Sequence, residues 1–254
     1  EFEADMQTAK DAGILPMMTY AKDGGTSFVF QALMANNSSA EDVQNWILQK
    51  SGTFDNQAAQ DAASTLQDWN NKGYMPEGVN AVDASTALSR FCNGEGLFFP
   101  SGNWNLDTVA KALGDDVQFF AFPGATSEDE PNVAANAGAF YGIPVNAKNR
   151  DAAAAFLDYT QSAEAQQIIV DNSGYLPKSS TLDLKANSAL QQSMFDAYAD
   201  VLTSGHTSDF INNATAGMQS SGLIPNFQLL LDNSITPQEF TKNVQAQYDK
   251  EAKR

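Results

Sequence analysis

The sequence predicts an α/β fold, on three observations. Stretches with apolar residues at helical spacing recur along the chain, the clearest being 55–72, 151–170 and 240–253. Between the earlier ones lie short apolar runs at 14–20, 97–99 and 117–122, with the character of strands buried in a sheet. Turn formers close those runs: Pro100, Ser101 and Gly102 after one, Pro123 and Gly124 after another. The chain has 254 residues, 43% of them hydrophobic and 10% aromatic, enough for one large or two medium domains with a sizeable core.

Residues 1–12 read as an amphipathic helix with Phe2, Met6 and Ala9 on one stripe and Gly13 behind it as a C-cap. The run 14–20 is a strand entered through Pro16. Lys22, Asp23, Gly24, Gly25, Thr26 and Ser27 form the loop at its carboxyl end. Thr26 or Ser27 is the expected N-cap of a helix over 28–35. A Gly-Gly loop that opens a helix points free N–H groups outward and suits an anion. It lacks the Walker spacing, so a P-loop is excluded. It suits equally a neutral ligand whose hydroxyls meet Asp23, Lys22 and the backbone, or a plain surface turn.

A Ser-Ser-Ala-Glu pattern caps a helix over 38–50 that carries Val43, Trp46 and Ile47. Trp69 lies on the apolar stripe of the helix 55–72, so both tryptophans are expected in the core. Asp83 is the expected N-cap of a short helix ending at Phe91. Asn93, Gly94 and Gly96 then turn the chain into the strand 97–99, and Trp104 follows Pro100, Ser101 and Gly102. Ligands of open α/β sheets sit at the carboxyl ends of the strands. An indole there, just before a helix over 105–113, suits stacking on a ligand's apolar face, although a core role is open to any tryptophan.

After the run 117–122, an acidic loop carries Glu128, Asp129 and Glu130, without EF-hand spacing. A glycine turn at 136–140 leads to a strand ending near Val145. The helical stretch 151–170 is broken and restarted at Ser162. Gly174, Tyr175, Leu176 and Pro177 leave it sharply, and from Leu184 onward the chain reads as helix after helix, with a polar loop at 203–213. Thr236, Pro237 and Glu239 form a capping box for the last helix.

The net charge of −17 disfavours nucleic acid and anionic lipid as partners. No run of 18 apolar residues is present, so no transmembrane helix is expected. The single cysteine, Cys92, allows no internal disulfide, and one histidine, His206, is poor material for a zinc site or a triad. No metal and no cofactor are expected.

The order of these pieces resembles the family 1 extracellular solute-binding proteins of ABC importers, the maltose-binding-protein group. The resemblance runs over nearly the whole chain. It is carried by Ala9 to Gly13 with Pro16, by Phe91 and Gly94 through Gly102 to Trp104, by Ile143 to Asn149, by Ala152 to Thr160 with Ser162 to Gln166, by Gly174 to Pro177, and by Thr236 to Phe240. It implies a periplasmic-binding-protein-like type II fold, two lobes closing around a sugar or oligosaccharide. Residues 1–121 and 178–254 would be the carboxyl-terminal lobe, and 122–177 would complete the amino-terminal lobe. Roughly 100–150 residues of that lobe would lie outside this sequence. Hinges would fall near Phe122-Pro123 and Leu176-Pro177.

The resemblance puts the sugar-stacking tryptophan on Trp104, beside Asn103. It puts the early loop on Asp23, Gly24, Gly25 and Thr26, further contacts near Asp83, and a close glycine turn on Gly138, Ala139 and Phe140. The early loop lacks the aromatic often found there. The protein would be a non-enzymatic, monomeric importer component serving ABC membrane subunits. It would stand on the outer face of the cell membrane as a lipoprotein, or in the periplasm. Two other readings stay open: a carbohydrate-active enzyme using Asp83 and Glu95 as a carboxylate pair, and a surface interaction module with no small ligand.

Overall fold

The computed structural model describes residues 1–126, 129, 131–135, 141–173, 175, 184–204 and 206–252. In chain order its helices are α1 (Phe2–Asp11), α2 (Thr26–Asn36), α3 (Ala40–Ile47), α4 (Gln57–Asn71), α5 (Ala84–Cys92), α6 (Leu106–Leu113), α7 (Arg150–Tyr159), α8 (Ala163–Ser173), α9 (Ala189–Ser204), α10 (Ile224–Leu231) and α11 (Pro237–Glu251). Two short strands, β1 (Val133–Ala134) and β2 (Thr207–Ser208), pair in parallel, Val133 opposite Thr207 and Ala134 opposite Ser208. Contacts divide the chain into unit 1 (Glu1–Ser101, Ala121–Ala135, Asp200–Arg254) and unit 2 (Gly102–Phe120, Asn136–Ala199). These borders fall elsewhere than 121/122 and 177/178, where the resemblance sets the lobe borders.

Local chemistry explains the helix ends. Ser39 accepts from the Asp42 N–H, Asn56 from Ala59 and Asp83 from Thr86, each satisfying a donor that the first turn leaves orphaned. At α11 the capping box is complete: the Thr236 side chain takes the Glu239 N–H, and Glu239 takes that of Thr236. The break expected at Ser162 is present, and the Ser162 hydroxyl accepts from the Ala165 N–H at 3.2 Å to restart the chain as α8. One expected cap is corrected. Helix α2 begins at Thr26, its N-cap position is Gly25, and no side chain caps it. Thr26 is already the first helical residue, so the cap position falls one residue earlier, on a glycine with no side chain to offer.

The core of unit 1 is aromatic. Phe30 stands 5.6 Å from Phe54 and 5.3 Å from both Phe227 and Phe240, and the Trp46 and Tyr248 rings stack at 4.7 Å. Trp46 and Trp69 are both buried there, as their stripes predict. A polar tie fastens α2 to β2: the buried Gln31 amide donates to Ser208 Oγ and the Asp209 carbonyl, and accepts from the Ile211 N–H at 3.0 Å. Unit 2 has a comparable tie, with buried Gln191 donating to the Val170 carbonyl and accepting from Asn187.

The strands expected at 14–20 and 97–99 shrink to a single parallel bridge, Met17 opposite Phe98. The backbone is nonetheless extended and bonded across. Leu97 donates to the Leu15 carbonyl, Phe98 to that of Pro16 and Met18 to that of Phe98, while Met17 donates to Tyr74 on its other side. Pro16 lacks an N–H, and Leu97 is 46% exposed, so the ladder does not lengthen. The run 117–122 carries no strand, nor do the described residues 141–145 of the expected strand that ends near Val145. The polar loop expected at 203–213 contains β2, whose partner lies more than 70 residues away in sequence.

Candidate functional site

In unit 1 the extended run ends at buried Tyr20, and the chain turns through Lys22, Asp23, Gly24 and Gly25 into α2. The ring of Tyr20 lies directly against Gly25, where any Cβ would overlap it. Burial pushes the Tyr20 hydroxyl above its ordinary pKa, and the charge of Asp23 adds to the rise. Gly24 has φ +83°, and a Cβ on it would come within 2.6 Å of Gln219 Nε2. Both glycines are therefore fixed by close approach, and Gly24 also by its backbone conformation. Lys22 and Asp23 are exposed, while Gly24, Gly25 and Thr26 are buried.

The structure brings this loop to Asp83. The Asp23 carboxylate accepts from the Ala84 N–H at 2.9 Å, the first turn of α5. Asp83 accepts from the Thr86 N–H and the Ser85 hydroxyl, both at 2.9 Å, and pairs with Lys22 at 3.3 Å. The N–H of Lys22 donates to the Val82 carbonyl. These donors, the Thr86 backbone first, hold the Asp83 carboxyl well below the ordinary carboxylate range. Asp83 is thus an ionised acceptor with no proton to give near neutrality. Glu95 pairs with Arg90 at 2.8 Å.

In unit 2, Trp104 sits in a single 3₁₀ turn, Asn103–Asn105, that runs into α6. Its indole is 41% exposed. It folds back on Gly102, where a Cβ would overlap the ring. The φ of Gly102 is −138°, which any residue adopts, so the requirement for glycine here is steric. Asn103 beside it is half-buried. The helix predicted to start at Asn105 starts at Leu106, one residue on. Gly138, Ala139 and Phe140 lie outside the described residues, as does the Leu176-Pro177 hinge.

Sequence reasoning missed Gln219. It lies in a π-helical segment, Met218–Leu223, just before α10. Its Nε2 donates to the Asp23 carbonyl at 3.0 Å. The only sequence signal was the crowding of Gly217, Gly222 and Pro225 around it, which marks an irregular backbone without naming its use.

Residues 1–195 match the family model described as bacterial extracellular solute-binding protein. The chain belongs to this family. Among solved structures, this solute-binding protein is similar to a chitin oligosaccharide binding protein, at a TM-score of 0.82 and 19% identity over 98% of this chain and 63% of that one. It is similar to a sugar transporter protein of Bacillus licheniformis in complex with stachyose, at 0.72 and 11% over 98% and 65%. It is also similar to RafE in complex with raffinose, at 0.75 and 15% over 98% and 64%. At such identities the likeness shows the fold, the α/β fold of these binding proteins. The solute-binding chain spans about 63% of the length of the first of them. No curated protein matches it. Among its described residues no helix is long and apolar enough to cross a membrane.

Proposed function

We propose that this chain is part of the substrate-binding component of an ABC importer and that its ligand is a sugar or oligosaccharide. The observation that carries the reading is the partly exposed indole of Trp104, resting against Gly102. Pyranose rings stack their C–H faces on such a surface, while carboxylates and amides take the hydroxyls. Within unit 2, Trp104 with Asn103 offers a stacking face. Within unit 1, Asp23 and the ionised Asp83 offer acceptors, and Gly24, Gly25 and Thr26 shape the loop that carries Asp23; it is the resemblance that assigns both sets to sugar binding. Gly138, Ala139 and Phe140 join the site on the resemblance alone.

The lobe assignment of the resemblance belongs to this reading: 1–121 with 178–254 as one lobe, 122–177 completing the other. Helix α7 supports it, because none of its residues is buried and Phe156 and Tyr159 are 65% and 46% exposed. A helix with an apolar stripe and no buried residue is built to pack on something further. Sugar binding would shift an open–closed equilibrium that ABC membrane subunits read, outside the cell membrane or in the periplasm, without catalysis and as a monomer. An enzyme with Asp83 as general acid is disfavoured by the donors that keep that carboxyl ionised.

Isothermal titration of the full-length protein against chitin oligosaccharides, stachyose, raffinose and related sugars tests the reading. Saturable binding with the sugar recovered unchanged is the expected result. Turnover of the sugar, or silence across the whole panel, overturns it.

A further inference from the structure

We propose that Gln219 is a positioning residue for the sugar site: its side-chain amide holds the Asp23–Gly24 turn in the shape in which that loop meets a sugar. The inference rests on the reading above. Two parts of unit 1 that are remote in sequence converge on Asp23. Its carboxylate takes the Ala84 N–H of α5, and its backbone carbonyl takes the Nε2 of Gln219 at 3.0 Å. Between these two anchors the backbone at Gly24 lies on the Gln219 amide and on Ile224, so closely that a Cβ would stand 2.6 Å from Nε2 and 3.0 Å from Cγ1 of Ile224. The loop therefore has no room to shift toward α10, and the amide bond keeps it from drifting away.

The amide has one usable orientation. Turning it over would set Oε1 against the Asp23 carbonyl, acceptor facing acceptor. In the orientation observed, Gln219 Oε1 is buried with no hydrogen-bond partner among the described residues. The hydroxyls of Thr19 and Thr26, which flank the loop, are in the same condition, and both residues are at least 99% buried. Buried polar atoms left unsatisfied are uncommon in proteins and ask for a reason beyond packing. Trp69, Asn80 and Thr215 carry such atoms elsewhere, so they do not mark this loop alone; what is particular to it is that its anchor, Gln219, is carried on a π-helical segment of the kind frequent at functional sites.

The test replaces Gln219 by Met, which keeps the length of the side chain and removes the donor. Amide hydrogen exchange of Gly24 and Thr26, whose N–H groups bond Ala21 and Tyr20, reads the loop without any ligand. Titration with the first sugar of the panel that binds reads the site. Gln219→Met is expected to speed exchange at these amides by about tenfold or more, to weaken sugar binding by about five- to tenfold, and to leave exchange in α4 and the unfolding midpoint unchanged. Unchanged exchange at Gly24 and Thr26 overturns the proposal. So does faster exchange with undiminished affinity when Asp23→Ala lowers that affinity, because the held shape then does not serve binding. If Asp23→Ala, Trp104→Ala and Gln219→Met all leave affinity intact, the site reading itself falls and takes this inference with it.

Discussion

Replacing Trp104 by alanine removes the proposed stacking face together with the packing of the indole inside unit 2. The indole is 41% exposed. For a side chain presenting about 250 Å², that leaves roughly 100 Å² open, worth about 2.5 kcal/mol if a ligand covers all of it at ~25 cal/mol per Å². One sugar ring covers about half to all of that area, so Trp104→Ala is expected to cost about 1–2.5 kcal/mol of binding, or roughly five- to seventyfold in Kd. The remaining ~150 Å² is covered within the fold, so the same variant should also lower fold stability, by up to about 3 kcal/mol. Gly102→Ala is the companion variant. It retains the indole but pushes it off its seat, because the added Cβ overlaps the ring. It should lower affinity by a fraction of the same amount. Calorimetric titration of the full-length protein measures both, with thermal unfolding as the control. An affinity for Trp104→Ala within twofold of the parent, in a protein that still unfolds cooperatively well above the titration temperature, refutes the stacking role.

Further outcomes follow from the caps and the buried ties. Gln31→Leu removes the acceptor of the Ile211 N–H and the amide donor to Ser208 and the Asp209 carbonyl in the core of unit 1, and should destabilise it by about 2–4 kcal/mol in urea unfolding. Thr236→Ala removes the N-cap of α11 and should cost about 1 kcal/mol by the same measurement. The folded-state pKa of Asp83 is lowered, so its contribution to stability is present above its unfolded value and is lost as pH falls below about 4. Unfolding midpoints followed from pH 6 downward should therefore decline less steeply in Asp83→Asn than in the parent. Parallel declines would show that the cap and the Lys22 pair do not hold that carboxylate.

What the sequence by itself determined is whatever a few neighbouring residues settle among themselves. The caps at Asp83 and Thr236, the restart at Ser162 and the core stripes with Trp46 and Trp69 all rest on partners three or four residues away, so spacing alone reveals them. It also singled out Trp104 and the Asp23 loop, because turn formers mark the ends of apolar runs. Tertiary structure decided everything that depends on a distant partner. The runs at 97–99 and 117–122 have strand composition, but a strand exists only where a neighbour offers donors and acceptors. Among the described residues Phe98 finds one bridge, and the best-formed pairing falls instead on Thr207 and Ser208, within a stretch that reads as a polar loop. The meeting of the Asp23 loop with the Asp83–Ala84 turn, and of Asp23 with Gln219, joins segments some 60 and 200 residues apart. No local pattern encodes such a contact, since it arises only when the aromatic core draws α2, α4, α10 and α11 together.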